Sequence, residues 1–91
     1  KVYLCVENTT KITYLDKVYE KCHSPYLKGC FDIGHASCCT HNLDSFDYER
    51  YQDYIICLHI HDNDLIHDSH QIPFSMNINF DNIIKAFLFI M

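Results

Sequence analysis

Residues 54–61 read YIICLHIH. A run so rich in β-branched and aromatic residues, with no Gly or Pro, is the strongest strand signal in the chain. Side chains alternate across a strand with a period of two. Ile56, Leu58 and Ile60 therefore share one face, and Cys57, His59 and His61 share the other. Two earlier stretches repeat the pattern. In residues 1–7, KVYLCVE, Val2, Leu4 and Val6 oppose Tyr3, Cys5 and Glu7. In residues 27–33, LKGCFDI, Phe31 and Ile33 oppose Cys30 and Asp32. Each strand thus has an apolar face and a face that runs from a thiol to an ionisable group.

The segments between are helical or polar. Ile12, Leu15, Tyr19 and Cys22 recur at helical spacing, with Thr9-Thr10 as the expected cap, until Ser24-Pro25 breaks the run. Gly34 is expected to end the second strand, and residues 35–42 read as a Cys-rich loop. A short helix is expected from Asp44 to Tyr51, capped by Asp44 or Ser45. Residues 62–71 read as a polar loop and 73–79 as irregular. A last helix from Asn79 or Asp81 carries Ile83, Ile84, Phe87, Leu88 and Met91 on an apolar face. Alternating strands and helices argue for βαβ units and a parallel sheet. Cys5, Cys30 and Cys57 stand 25 and 27 residues apart, close to one βα unit of an eightfold barrel.

Composition narrows the function. The 91 residues are 48% hydrophobic with two Gly and two Pro, which excludes disorder and low-complexity linker. Seven Lys and Arg against twelve Asp and Glu give a net charge of −5. That leaves no basic footprint for nucleic acid or an anionic membrane. The longest apolar run, Ala86 to Met91, is far short of a membrane span. No signal peptide is legible, and the chain opens inside a strand and stops inside a helix, so we expect a piece of a larger domain. The six cysteines lack the C-x2-C spacing of structural zinc, and Cys38-Cys39 are adjacent, so reduced cytoplasmic thiols are expected, with Cys5, Cys30 and Cys57 of the strands packed as small core residues. His23 and His41 are expected to be exposed and His67 to point to solvent. There is no phosphate-binding glycine loop and no G-x-S-x-G elbow.

Glu7, Asp32 and His61 fall at the carboxyl ends of three parallel strands, on one face. Sites in α/β folds are built at that end. Burying such groups is costly, and a bound cation is the cheapest compensation.

The stretches VYLCVENTT, CFDIGHA, LHIHDND and DSHQIP resemble, in order, successive motifs of the xylose-isomerase-like TIM barrels. This superfamily holds sugar and sugar-phosphate isomerases and epimerases and the related apurinic endonucleases. The resemblance covers essentially the whole chain. It implies a single domain piece, residues 1–91, forming strands five to seven of an α/β (β/α)8 barrel. It further implies one divalent metal, Mn²⁺, Mg²⁺, Co²⁺ or Zn²⁺, on Glu7, Asp32 and His61. A glutamate on strand eight would be the fourth ligand. Glu7 would also be the catalytic base, drawing the proton α to a ketose carbonyl. His35 and Asn8 would meet the carbohydrate substrate. His59, two residues back from His61, would lie deeper in the barrel.

Two alternatives stand beside this reading. The endonuclease branch uses a zinc cluster, and its resemblance extends the ligand set to His35, Asp68 and His70. Against nucleic acid, the seven cations are scattered, and Asp62-Asn63-Asp64 places negative charge at the mouth. The other alternative is a non-catalytic remnant: three βα units leave two sheet edges open, to water or to another copy in a homo-oligomer. The chain also departs from the family where a Gly-x-Gly turn is usual: Phe74-Ser75-Met76 offers no glycine.

Overall fold

A computed structural model describes residues 2–38, 43 and 46–90. Three parallel strands, β1 (Leu4–Glu7), β2 (Leu27–Asp32) and β3 (Ile55–His59), form one sheet in the order β1-β2-β3. Helix α1 (Thr13–Lys21) crosses from β1 to β2, a five-residue helix α2 (Ile33–Ser37) follows β2 directly, and α3 (Phe80–Ile90) closes the chain. This is the βαβ order expected from the alternation, and it makes a partial TIM barrel. No helix among the described residues is long and apolar enough to cross a membrane.

The core lies on the helix side of β2. Phe31, Ile33 and Ala36 are fully buried, joined by Leu15 of α1 and by Phe80, Ile83 and Phe87 of α3. Phe31 meets Phe46 at 5.0 Å and Phe87 at 5.5 Å between ring centroids. Tyr19 packs against both Tyr51 and Tyr54. Gly29 is required here: a Cβ would lie 2.8 Å from the Tyr54 ring.

Several local expectations are corrected. Thr9-Thr10 does not cap α1: the Thr9 hydroxyl accepts from the Lys11 N–H in the turn before the helix, whose first residues have no side-chain cap. The second strand stops at Asp32 instead of running to Ile33, because Asp32 caps α2, which takes up Ile33, Gly34 and the start of the expected loop. Of the helix expected over residues 44–51, only a 3-10 turn at Glu49–Tyr51 forms among the described residues. Asp44, Ser45, His41 and Met91 lie outside those residues. The aliphatic face is not uniformly covered: Val2 is 84% and Leu4 70% exposed, and Ile56 and Ile60 are also open. Only the middle strand has a neighbour on each side, so only β2 is buried on both faces. For the same reason Cys30 is buried, whereas Cys5 and Cys57 are exposed and not core residues. Leu88 is exposed as well, although Ile83 and Phe87 of the same helix are buried.

Candidate metal and acid–base site

Strand register decides which side chains meet. Glu7 pairs with Cys30, Cys30 with Cys57, and Asp32 with His59. The first strand is therefore staggered by two residues relative to the others. Glu7 rises from the thiol row and leans toward the next row, where Asp32 and His59 stand. His59, expected deeper in the barrel than His61, stands level with Asp32 because β2 and β3 pair with Cys30 opposite Cys57.

Asp32 is the hub. Its side chain is 3% exposed, and its Oδ1 accepts the His35 N–H at 2.8 Å, which caps α2. The D-x-x-H pattern of residues 32–35 is thus a capping pattern as well as a constellation of ionisable groups. His35 Nδ1 lies 3.5 Å and His59 Nδ1 3.6 Å from Asp32 Oδ2, and His61 Nε2 lies 2.7 Å from Oδ1. Burial pushes the Asp32 carboxyl up. The His35 N–H, the Glu7 side chain and the charges of His35 and His61 outweigh it, and hold the group below the usual carboxylate range.

Glu7 is one-third exposed and faces two imidazoles, His35 Nδ1 at 3.1 Å and His59 Nδ1 at 3.2 Å. His35 also donates from Nδ1 to the Asn8 carbonyl at 2.9 Å, while its Nε2 faces Asp68 at 3.3 Å. Burial pushes the His35 ring down. The Asn8 carbonyl and the carboxylates of Asp32, Asp68 and Glu7 reverse that and raise it above its ordinary value. His61 and His70 stack face to face at 4.0 Å, and His70 Nε2 reaches Asp68 at 3.2 Å.

The backbone beneath these groups is braced by side-chain amides and one carboxylate. Asn8 is buried. Its Oδ1 accepts the Asp32 N–H at 2.7 Å, and its Nδ2 donates to the Asp32 and Thr9 carbonyls. Asn8 thus stands beside Glu7 with both amide protons committed to backbone, clamping β1 to β2 where the ladder ends. Asn63 Nδ2 donates to the Gly34 carbonyl at 2.9 Å, tying the loop after β3 to α2. Asp62 is wholly buried and accepts from the N–H groups of Asn63, Met76 and Ile78. Its backbone bridges to Gln71, which closes the loop carrying Asp68 and His70. The expectation of negative charge at the mouth is corrected accordingly: Asp62 and Asn63 are internal, and only Asp64 turns outward. There Asp64 pairs with the exposed His67 at 2.8 Å, and that ring with the backbone N–H groups of His67 and Ile66 holds its carboxyl well down.

Two donor sets result. Glu7, Asp32 and His35 place ligand atoms within 4.8 Å of one another, and so do His35, His61, Asp68 and His70. Glu7 and His61 fall in different sets, which share His35, and Asp32 Oδ1 lies 2.7 Å from His61 Nε2. The residues fit a cation on two further observations. Both ring nitrogens of His61 are buried without a hydrogen bond, although Nε2 lies 2.7 Å from Asp32 Oδ1. A ring nitrogen near a carboxylate yet not bonded to it is suited to share an ion with it. Gly34 forms the cradle, since a Cβ there would be driven into the His61 ring. The site opens onto a cavity of about 690 Å³ bordered by Glu7, Asp32, His59, His61 and His70.

No protein-family model matches the chain, and no curated protein matches it. Among solved structures, the crystal structure of a D-tagatose 3-epimerase-like protein superposes with a TM-score of 0.80 at 28% identity. The match covers 97% of this chain and 36% of that one. The chain therefore spans about a third of that neighbour's length.

Proposed function

We propose that residues 1–91 form part of a single barrel domain and supply the metal-binding and proton-abstracting side of a sugar or sugar-phosphate isomerase or epimerase. The observation that carries this reading is the set of imidazoles and carboxylates around Asp32, with the buried ring nitrogens of His61 beside it and making no hydrogen bond. The likeness to a D-tagatose 3-epimerase-like structure supports the same chemistry.

Glu7, Asp32 and His61 would hold a divalent metal. Such an ion, when bound, supplies Lewis-acid polarisation of a carbonyl. Glu7 is the base. It is the carboxylate of the cluster open to the cavity, whereas Asp32 is buried and committed to the α2 cap. It takes the proton from the carbon next to the ketose carbonyl, leaving an enediolate. His35 and His59 flank Glu7 and aim it. His35, raised toward its charged form, balances the carboxylates and offers an N–H to substrate oxygen. The proton is returned from the opposite face by a group outside this chain.

Two measurements test the reading. Calorimetric titration with Mn²⁺ or Co²⁺ should show binding that Asp32→Asn removes. The chain grafted in place of the matching third of the epimerase-like barrel should exchange solvent deuterium into a ketose beside its carbonyl, and Glu7→Gln should stop it. Exchange undiminished by Glu7→Gln sinks the assignment of the base. The second donor set, on His35, His61, Asp68 and His70, favours one rival, a zinc phosphodiesterase with a metal cluster. Binding of two or more zinc ions per grafted barrel, with no ketose exchange, would decide for it.

A further inference from the structure

A third group of donors lies below the carboxylates, and the chemistry above makes no use of its sulfurs. Cys30 and Cys57 are paired across β2 and β3, and His59 follows Cys57 on the same face. Their sulfur and ring-nitrogen atoms all lie within 4.8 Å of one another. Cys30 is buried, which fixes one donor, while Cys57 and His59 are exposed on the edge strand of the 91 residues. We propose that Cys30, Cys57 and His59 form a separate site for a soft d10 cation such as Zn²⁺ or Cd²⁺.

The argument is one of donor type and place. Two thiolates and an imidazole select soft or borderline cations, while Glu7 and Asp32 are hard oxygen donors suited to Mn²⁺ or Mg²⁺. Three protein ligands leave the fourth tetrahedral position to water. Binding releases the thiol protons to solvent as the metal–sulfur bonds form. A disulfide between the two cysteines would need an oxidant and would leave His59 without a part; a metal uses all three groups. His59 Nδ1 also faces Glu7 at 3.2 Å. It is the wall between the two sites, and an ion on the thiols draws on a ring that otherwise helps aim the base.

The test is titration of the reduced 91-residue chain with Cd²⁺, followed by the ultraviolet sulfur-to-cadmium charge-transfer band and by cadmium NMR. We expect saturation at a single equivalent, with a chemical shift typical of two sulfur ligands and one nitrogen. Cys57→Ser removes an exposed side chain, so the fold should stand, and affinity should fall at least about tenfold. Cys30→Ser should do the same, with circular dichroism checking that this buried change leaves the chain folded. Cys22→Ser, at the end of α1, should leave the band intact. Asp32→Asn should also leave it intact while abolishing Mn²⁺ binding, so the two metal assignments fail separately. No band, or a band and affinity unchanged by Cys57→Ser, overturns the proposal.

Discussion

On the helix side of β2, Phe31 is wholly buried and meets three aromatic rings, Phe46, Tyr48 and Phe87. One residue on, Asp32 is almost as buried, but its side faces three imidazoles and a second carboxylate. The same strand therefore supports two opposite uses of burial. On the helix side, removal of apolar surface from water is itself the stabilising term, about 1.5–3 kcal/mol for one such side chain. On the cavity side burial is a cost, offset by pairing and by N–H groups aimed at the carboxylates. The first face holds the fold, and the second stores charge where a ligand can use it.

The largest break in this comparison is Phe31→Ala. It empties the centre of the aromatic cluster and should cost about 3–5 kcal/mol. That is a large share of what a small domain has. A urea melt should show the chain largely unfolded; a loss below about 1 kcal/mol would mean the helix side is not where stability resides. Asn8→Ala comes next. It strands the buried N–H and C=O of Asp32 and should cost about 1–3 kcal/mol. Amide exchange should speed up first at the ends of β1 and β2. Protection there equal to the parent's would remove the brace from the account.

Asp32→Asn sharpens the contrast because it separates fold from charge. Asparagine caps a helix about as well as aspartate, so the chain should stay folded and the melt should lose only the charge pairing of Asp32. Metal affinity should nevertheless fall at least about tenfold, by calorimetry. A variant that loses both together would show that Asp32 serves the fold more than the ion.

Proton linkage offers a gentler probe of the metal-free chain. His35 is raised above the usual 6.5. Its stabilisation is fully present below that value and is lost as pH climbs through the folded value. Asp32 is lowered below the usual 3.8. Its contribution is present above 3.8 and is lost as pH falls through the folded value. Stability against pH should therefore drop on both flanks. His35→Gln should flatten the alkaline flank and Asp32→Asn the acid one. Flanks identical to the parent's in both variants would mean that other groups set the profile.

The strands and their shared face were legible because a period of two survives in YIICLHIH and LKGCFDI whatever surrounds them. Parallel pairing followed from the intervening helices. The stagger between β1 and β2 was not legible, since register is set by backbone pairing between segments far apart in sequence. It is what sets Glu7 level with Cys30 instead of Asp32. Helix α2 was hidden by Gly34, which reads as a breaker; Asp32 followed three residues later by a bonded backbone N–H was the signal available. The brace roles of Asn8, Asn63 and Asp62 were hidden for a related reason. A polar residue in a motif looks like chemistry until its backbone partners are known.

Phe74 joins that lesson to the smallest expected effect. The resemblance called for glycine near residues 74–76, and the chain makes the turn without one, with Phe74 at φ 70°. A non-glycine residue there costs about 1–2 kcal/mol, partly offset by the contact of its ring with Phe80 at 5.2 Å. The ring is two-thirds exposed, so that contact is thin. Phe74→Gly should relieve the strain and forfeit about 0.5–1 kcal/mol to the looser unfolded chain. The net change is a stabilisation under about 1 kcal/mol, readable as a small rise in melting temperature. Phe74 is neither a donor nor on the cavity border, so the same variant should leave metal affinity unchanged. A drop in stability instead would mean that the Phe74–Phe80 contact anchors the loop, and that this side of the cavity is held by apolar packing after all.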